Sequence, residues 1–546
     1  MQGLESIKFI PLGQRALIIQ WPEVIDPKII AQIWQLRRAL AHESIQDSIV
    51  AYHSLTLVFW LPQETFTPWI DWIRKNWATK AMGAPANITR QMVQEHQNKP
   101  SKKTIEIPVC YDPELAPDLE AFLWAKNLSL KALIKAHTAE EYPLYFYGFQ
   151  PGFMYLGGLN PELHHPRKSI PSHRVPAGSV AIGGAQTGIY PNEAPGGWHV
   201  IGRCPIKLFD PMAPQPILAR PEDRIKFRAI DKNECQTILA QSQKASNLKA
   251  NDPSPAANFG QIEVIKPGLY SSIQDKGRFG FAHLGLPQSG AIDQEAHRLA
   301  NELLGNPEDC ATVEITFGGA AFKFQSASII ALTGANYSPT INQRDISMNE
   351  PIKVHSGDVL NFGLRKSGVR TYLGVWGGMH SPKIMGSRSQ YKTITPEFSL
   401  TKGTLIPIHQ PQIKDCSATN PILAIMTMPT PENSPDHSIE IEVSLGPEYH
   451  QLNASQRNNL LKDFTIGRND RMGYLLQEMV SNKLQSMHTS GVLPGTVQLT
   501  PGGQIIILMN EGQTTGGYPR IFQLTDKAKA LLSQCAQGQK IKFKIL

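Results

Sequence analysis

Between Tyr147 and Asp210 the chain sets Gly and Pro among Phe, Tyr, Trp and Ile, reading YGFQPGFMYLGGLNPELHHPRKSIPSHRVPAGSVAIGGAQTGIYPNEAPGGWHVIGRCPIKLFD. A flexible linker lacks aromatic and branched residues at this density. Each Gly frees the backbone for positive φ or for close approach to a neighbour, and each Pro fixes φ. Short strands joined by tight turns are expected here, with the turns converging on one surface. An all-β core that merely turns often satisfies the same pattern, so the stretch alone leaves both readings open.

At 546 residues the chain exceeds one ordinary hydrophobic core, and two to four domains are expected. The apolar fraction of 41% and charged fraction of 18% fit a soluble globular protein. A formal charge of +7 over this length is mild. With no Lys/Arg run and no basic-aromatic interleaving, nucleic acid is not an expected partner, while small anionic substrates are compatible. The six cysteines are scattered and none lies in a C-x-x-C, which argues against a zinc knuckle or a disulfide framework and fits a reducing cytoplasm. The opening MQGLESIKFIPLGQRALIIQW lacks a basic segment followed by an apolar one, so no secretory signal is expected. No apolar run approaches the roughly 18 residues of a membrane helix.

Residues 1–95 read as a small α+β domain. Strand-like ALIIQW and LTLVFW alternate with PKIIAQIWQLRRAL and PWIDWIRKNWATKA, and Ile29, Ile33, Leu36 and Leu40 fall near helical spacing. Trp69, Trp72 and Trp77 read as core. The polar run QEHQNKPSKK near residue 100 reads as a boundary. A second unit, 100–235, opens on the strand TIEIPVCY. A helical DLEAFLWAKNLSLKALIKAHT follows, its acidic start suited to a helix N-terminus, and the unit closes near RIKFRAI. Residues 236–260 lose the apolar pattern and read as a helical tail and linker. From 261 to 546 many short strands follow one helix, DQEAHRLANELLG, stopped at Gly305. A faint echo links VPAGSVAIGGAQTGIYPNEAPGGW to VLPGTVQLTPGGQIIILMNEGQTTGGYP, which suggests a repeated barrel unit.

The motifs carry a resemblance. GFQPGFMYLGGL, PR, VPAGSVAIGGAQTGIYP and PGGWHVIGR resemble the B-type subunit of 5-oxoprolinase, also known as allophanate hydrolase subunit 1 or a kinase inhibitor. QDKGRFG, SGAIDQEA, NDRMGY and QTTGGYP resemble its paired C-type subunit, or allophanate hydrolase subunit 2. The chain thus looks like a fusion of two usually separate subunits, both similar to the carboxyltransferase region of urea carboxylase and urea amidolyase. The resemblance implies a β-rich α+β fold with cyclophilin-like β-barrels in both halves, arranged in tandem over 261–546. It implies ATP-dependent hydrolysis of 5-oxoproline to glutamate, with ATP and Mg2+ as cofactors and a LamB/YcsF-type 5-oxoprolinase subunit, the A-type one, as partner. Two alternatives stay open: carboxyl transfer from carboxybiotin, and non-enzymatic regulation of a histidine kinase. No Met-Lys-Met biotin site is present, so biotin would come on a separate protein. A homo-oligomer is also open.

No P-loop, G-x-G-x-x-G, H-E-x-x-H or G-x-S-x-G occurs, and no metal site is expected. Two Gly-rich constellations remain. In the first, Arg167, His173, Arg174 and Arg203 could hold a carboxylate or phosphate, and Glu193 or His173 could move a proton; solvated loop charge is the plainer alternative. In the second stand Arg468, Asp470 and Arg471, then Glu511, Gln513, Thr514, Thr515, Gly516, Gly517 and Tyr518. A carboxylate among glycines and threonines could accept an N–H from a lactam or ureido ring, although a tight hairpin would also explain TGGY. Gln274, Asp275 and Arg278 form a third candidate binding group, and Asp293 reads equally as a helix N-cap. Where the family usually places Asp before QTTGGYP, this chain has Glu511. Ser490 stands where the family tends to have Glu, and Gln14 where it has an acidic residue.

Overall fold

The structure, a computed structural model, describes residues 6–40, 42–78, 103–249, 259–409 and 438–546. The boundary run near residue 100 and the last part of the 236–260 linker lie outside the described residues, while the helix Lys232–Lys249 occupies the first part of that linker.

The first unit is a four-stranded antiparallel sheet in the order Lys8–Leu12, Ala16–Gln20, Ser54–Phe59, Ile45–Val50. The helix Pro27–Ala39 starts where Asp26 accepts the Lys28 N–H and Pro27 presets the first turn. It buries Ile29, Ile33 and Leu36, as their spacing predicts, together with Trp34. The Trp34 indole donates to the Tyr145 carbonyl at 2.8 Å and ties this unit to the next.

Two closed seven-stranded barrels follow, one in each half, so the class is β-rich α+β. The first runs from Thr104–Cys110 to Arg224–Ile230, and the second from Ile439–Leu445 to Lys540–Ile545. Both close through a parallel pairing of their first and last strands. Their remaining pairings also correspond. Ser179–Gly183 lies between Gln186–Ile189 and His199–Arg203. Thr496–Leu499 lies in the same way between Ile505–Leu508 and Arg520–Leu524. Each barrel also carries a two-stranded extension, Ser172–Val175 with Ala194–Gly196 on the first and Ser490–Gly491 with Thr515–Gly516 on the second. The sequence echo is thus the trace of a repeated topology.

The tandem arrangement expected over 261–546 differs in its first member. Residues 260–408 form a six-stranded and a five-stranded sheet, with no barrel closure between them. The helix Gln294–Leu303 packs on the strands Ser328–Asn336 and Ser367–Val375. One hydrophobic core spans the first sheet and first barrel and takes in Leu284, Leu286, Ile384 and Ile394 of the second half. The halves therefore share a core as well as a linker.

Candidate active site at the junction of three loops

Three glycine-containing loops meet where the halves join: 148–153, 281–290 and 510–518. Thr515 Oγ1 accepts the Phe149 N–H at 3.1 Å, and a Cβ on Gly148 would stand 2.3 Å from the same oxygen. The Gly152 N–H donates to the Leu284 carbonyl at 3.3 Å. Gly285, at φ 77°, leaves only 2.6 Å between its would-be Cβ and the Gln150 carbonyl, so a side chain there would open the seam. The Ser289 N–H donates to the Asn510 carbonyl at 2.8 Å. The loop of the second constellation, 510–518, thus meets the 148–153 loop of the first half.

Glu511 stands in the third of these loops. The strand Ile505–Leu508 delivers it to the barrel rim, and its N–H donates to the Arg471 carbonyl at 3.0 Å. Its side chain is 12% exposed. Oε1 takes Arg471 Nε at 2.5 Å and Ser289 Oγ at 3.5 Å, while Oε2 takes no hydrogen bond among the described residues. Arg471 also donates to the Gly290 carbonyl at 2.6 Å and pairs with Glu314. Glu314 is wholly buried and accepts from the Ile292 N–H at 3.0 Å and the Tyr372 hydroxyl at 2.8 Å, with Arg370 at 3.8 Å.

The same network separates the two carboxylates in acidity. Burial pushes Glu511 above the ordinary carboxyl range, and Arg471 offsets this only in part. Burial also opposes the Glu314 charge, but Arg471 and Arg370 outweigh it and hold Glu314 below that range. Glu511 is therefore the more basic of the two and the one with a free oxygen, as general-base work requires. Thr514 has a buried hydroxyl with no partner among the described residues, on a separate small cavity of about 40 Å3 that Gln513 and Asp47 also line.

Other expected residues have other placements. Each side-chain nitrogen of Arg471 makes one bond, to Glu511, Glu314 and the Gly290 carbonyl, so it holds the Glu511 carboxylate in place. Asp470 closes its turn by accepting the Met472 N–H at 2.7 Å, and Arg468 is exposed. Gln274, Asp275 and Arg278, expected at the ligand, are instead buried and fasten the segment 384–390. Gln274 donates to the Gln390 carbonyl at 3.1 Å, Asp275 accepts from Ser387 at 2.7 Å and Ser389 at 2.6 Å, and Arg278 donates to the Ile384 carbonyl at 3.0 Å. Gln274 Oε1 and Arg278 Nη1 are left without a partner among the described residues, and burial pulls the Arg278 guanidinium down to about 10. Asp293 is the N-cap, accepting the Ala296 N–H at 3.0 Å. Thr515 joins the halves. Gly516 pairs with Ser490, Gly517 accepts the Met487 N–H at 2.9 Å, and Tyr518 is exposed.

In the first half, Glu193 occupies the place on its barrel that Glu511 occupies on the other, each in an Asn-Glu pair after an equivalent strand. Glu193 is instead bonded to Arg174 at 2.7 Å on the open extension, with side chains 50% and 76% exposed. His173 is exposed beside them. Arg203 keeps a buried Nε with no partner. Arg167 lies 5.9 Å from the Trp198 ring centroid and has no anionic partner among the described residues. Its charge, with the Thr489 and Thr515 side chains, partly offsets the burial that raises Tyr155, and so it borders the junction.

Sequence patterns did not point to Glu314, Arg370, Ser289 or the pair Glu448–Arg520. A charge alone inside an apolar strand, as in TVEITF and PRIFQL, is the signal that could have found Glu314 and Arg520, since a buried charge needs a partner. Ser490 belongs to the second pair. It accepts Arg520 Nη1 at 2.9 Å, while Glu448 takes the same guanidinium at 2.8 and 3.0 Å. Ser490 and the Glu448 carboxylate thus share one guanidinium.

No helix among the described residues is long and apolar enough to cross a membrane, and no group of three His, Cys, Asp or Glu among them is placed to hold a metal ion. Paired barrels, joined through glycine loops around a buried carboxylate, define the class. Two family models match the chain: "Carboxyltransferase domain, subdomain C and D" over residues 7–219 and "Carboxyltransferase domain, subdomain A and B" over 284–545. The chain belongs to this carboxyltransferase-domain family and joins, in one polypeptide, counterparts of the B-type and C-type subunits of 5-oxoprolinase. It is 35% identical to the B-type 5-oxoprolinase subunit of Escherichia coli O157:H7, over 40% of this chain and 93% of that one. It is 31% identical to the C-type 5-oxoprolinase subunit of Escherichia coli K12, over 52% of this chain and 90% of that one. The crystal structure of TTHA0988 superposes with a TM-score of 0.75 at 24% identity, covering 97% of this chain and all 100% of that one, which shows a shared fold.

Proposed function

We propose that the chain is the fused B–C component of an ATP-dependent 5-oxoprolinase in the cytoplasm, hydrolysing 5-oxoproline to glutamate with a LamB/YcsF-type partner. The observation that carries this reading is Glu511: nearly buried, held by one oxygen, raised in basicity, and set at the seam between counterparts of the two 5-oxoprolinase subunits. A lactam is resonance-stabilised and resists water near neutral pH. ATP would supply the activation by phosphorylating the amide oxygen; water adds to the same carbon, the ring nitrogen takes a proton and leaves as the amine, and hydrolysis of the acyl phosphate left behind releases glutamate and phosphate. The chain's own residues do the rest. Glu511 Oε2 takes the proton of the attacking water, Arg471 fixes the carboxylate, and Thr514 donates to the ring oxygen. Arg167, without an anionic partner among the described residues, fits a phosphate or the substrate carboxylate, and Mg2+ would arrive on the nucleotide's phosphates.

The test is ATP-dependent glutamate release with the LamB/YcsF-type partner present. Glu511→Gln keeps the shape and loses the base, so turnover should fall by about 10²–10⁴ with the fold intact. Glu511→Asp should be much milder. Near-full turnover in Glu511→Gln, with Glu193→Gln inactive, would place the chemistry on the first barrel.

Carboxyl transfer from carboxybiotin on a separate carrier is the second reading, supported by the description of the matching family models. The same carboxylate could accept the ureido N–H. A carboxylated, biotinylated carrier protein losing its carboxyl group only when this chain and an acceptor amide are present would favour it over hydrolysis.

A further inference from the structure

A cavity of about 420 Å3 opens at the seam, and its lining does not include Glu511. Glu23 contributes from the first half; Glu448, Lys483, Leu484, Met487 and Pro519 contribute from the second. The volume falls in the range of small-molecule sites, about 300–1,000 Å3. Leu484, 7% exposed, gives it an apolar floor with Pro519.

The charges around it are unequal in their commitments. Glu448 is neutralised by the two-pronged bond from Arg520. Lys483 and Glu23 have no ion-pair partner among the described residues, and Glu23 takes a single hydrogen bond, from Gln20 Nε2 at 2.9 Å. They come from opposite halves, line the same cavity, and stand more than the 4.0 Å of an ion pair apart. Opposite charges held apart across a polar space leave a ligand with one charge only half matched. A ligand with both charges satisfies each of them.

We propose that this cavity binds a small zwitterion of the free amino-acid class, its carboxylate on Lys483 and its ammonium on Glu23. The site is separate from the hydrolytic centre and does not depend on which reaction that centre runs. It touches the centre's loop, because Met487 lines the cavity and donates its N–H to the Gly517 carbonyl at 2.9 Å.

Titration calorimetry of the full chain tests this, with L-alanine and L-glutamine as probes and acetate and methylammonium as one-charge controls. Saturable binding of at least one amino acid is expected, with a Kd of roughly millimolar order, and no saturable binding of either control. Lys483→Ala and Glu23→Gln should each weaken binding about tenfold, as for a lost hydrogen bond to a charged group. Both side chains are exposed, so the thermal midpoint should stay put. The exchanged pair Glu23→Lys with Lys483→Glu should recover affinity. The proposal is overturned if neither amino acid binds saturably, if acetate or methylammonium binds as well, or if either single variant leaves affinity unchanged.

Discussion

Arg471 is the residue on which the candidate site rests. It lies between two carboxylates, and removing it leaves Glu511 without its cation and Glu314 with only Arg370, at 3.8 Å. Arg471→Ala should therefore cost about 3–5 kcal/mol in stability, measured by urea denaturation, as for other broken buried pairs. A loss below about 1 kcal/mol would mean the network relaxes or takes in water. The glycine motif made Glu511 legible in the sequence, because a carboxylate among residues that admit close approach is a local pattern. Arg471 was read beside it from NDRMGY, but Glu314 and Ser289 were not legible. Arg471 and Glu314 are 157 positions apart, and only the closed fold brings them together. For the same reason Asp275 and Arg278 read as ligand groups, since a sequence does not show which polar side chains the fold will turn inward.

Elements decide how the halves meet. The strand Ser490–Gly491 of the second barrel's extension packs on the first sheet, where Ser490 and Ser54 hydroxyls bond at 3.2 Å. His53 sits in this contact, edge-on to His488 at 5.7 Å, and is buried with Nδ1 unpartnered. Burial pulls His53 down to about 4. The unfolded chain, with His near 6.5, then binds the proton first as pH falls. Stability from this group is intact above about pH 6.5 and declines from there towards pH 4, by up to about 1.4 kcal/mol per pH unit. Denaturation at several pH values should show a shallower decline in His53→Gln than in the parent; equal slopes would remove His53 as the cause. Of the strands at this contact, Ser54–Phe59 was legible as LTLVFW, while Ile45–Val50 and Ser490–Gly491 were not. Closure of 260–408 into two sheets was not, because it depends on pairings between distant strands.

At the scale of the whole molecule, two equivalent barrels have diverged. In one, the Asn-Glu loop is open and its Glu is paired at the surface. In the other, Ser289 and Arg471 of its own half enclose the Glu, and the loop meets the first half through Thr515. The halves share a core, so 1–250 and 259–546 produced together should co-elute in size-exclusion chromatography at micromolar concentration; separate peaks would mean that the linker alone holds them. Fusion thus joins partners that already complete each other's surface. The central claim is that Glu511 in the second half works only in a site completed by the first. The direct measurement is ATP-dependent glutamate release from 5-oxoproline, with the LamB/YcsF-type partner present, by each half alone and by the two mixed. Either half alone should be inactive and the mixture should approach the intact chain. Turnover by 259–546 alone at the rate of the intact chain would contradict the claim.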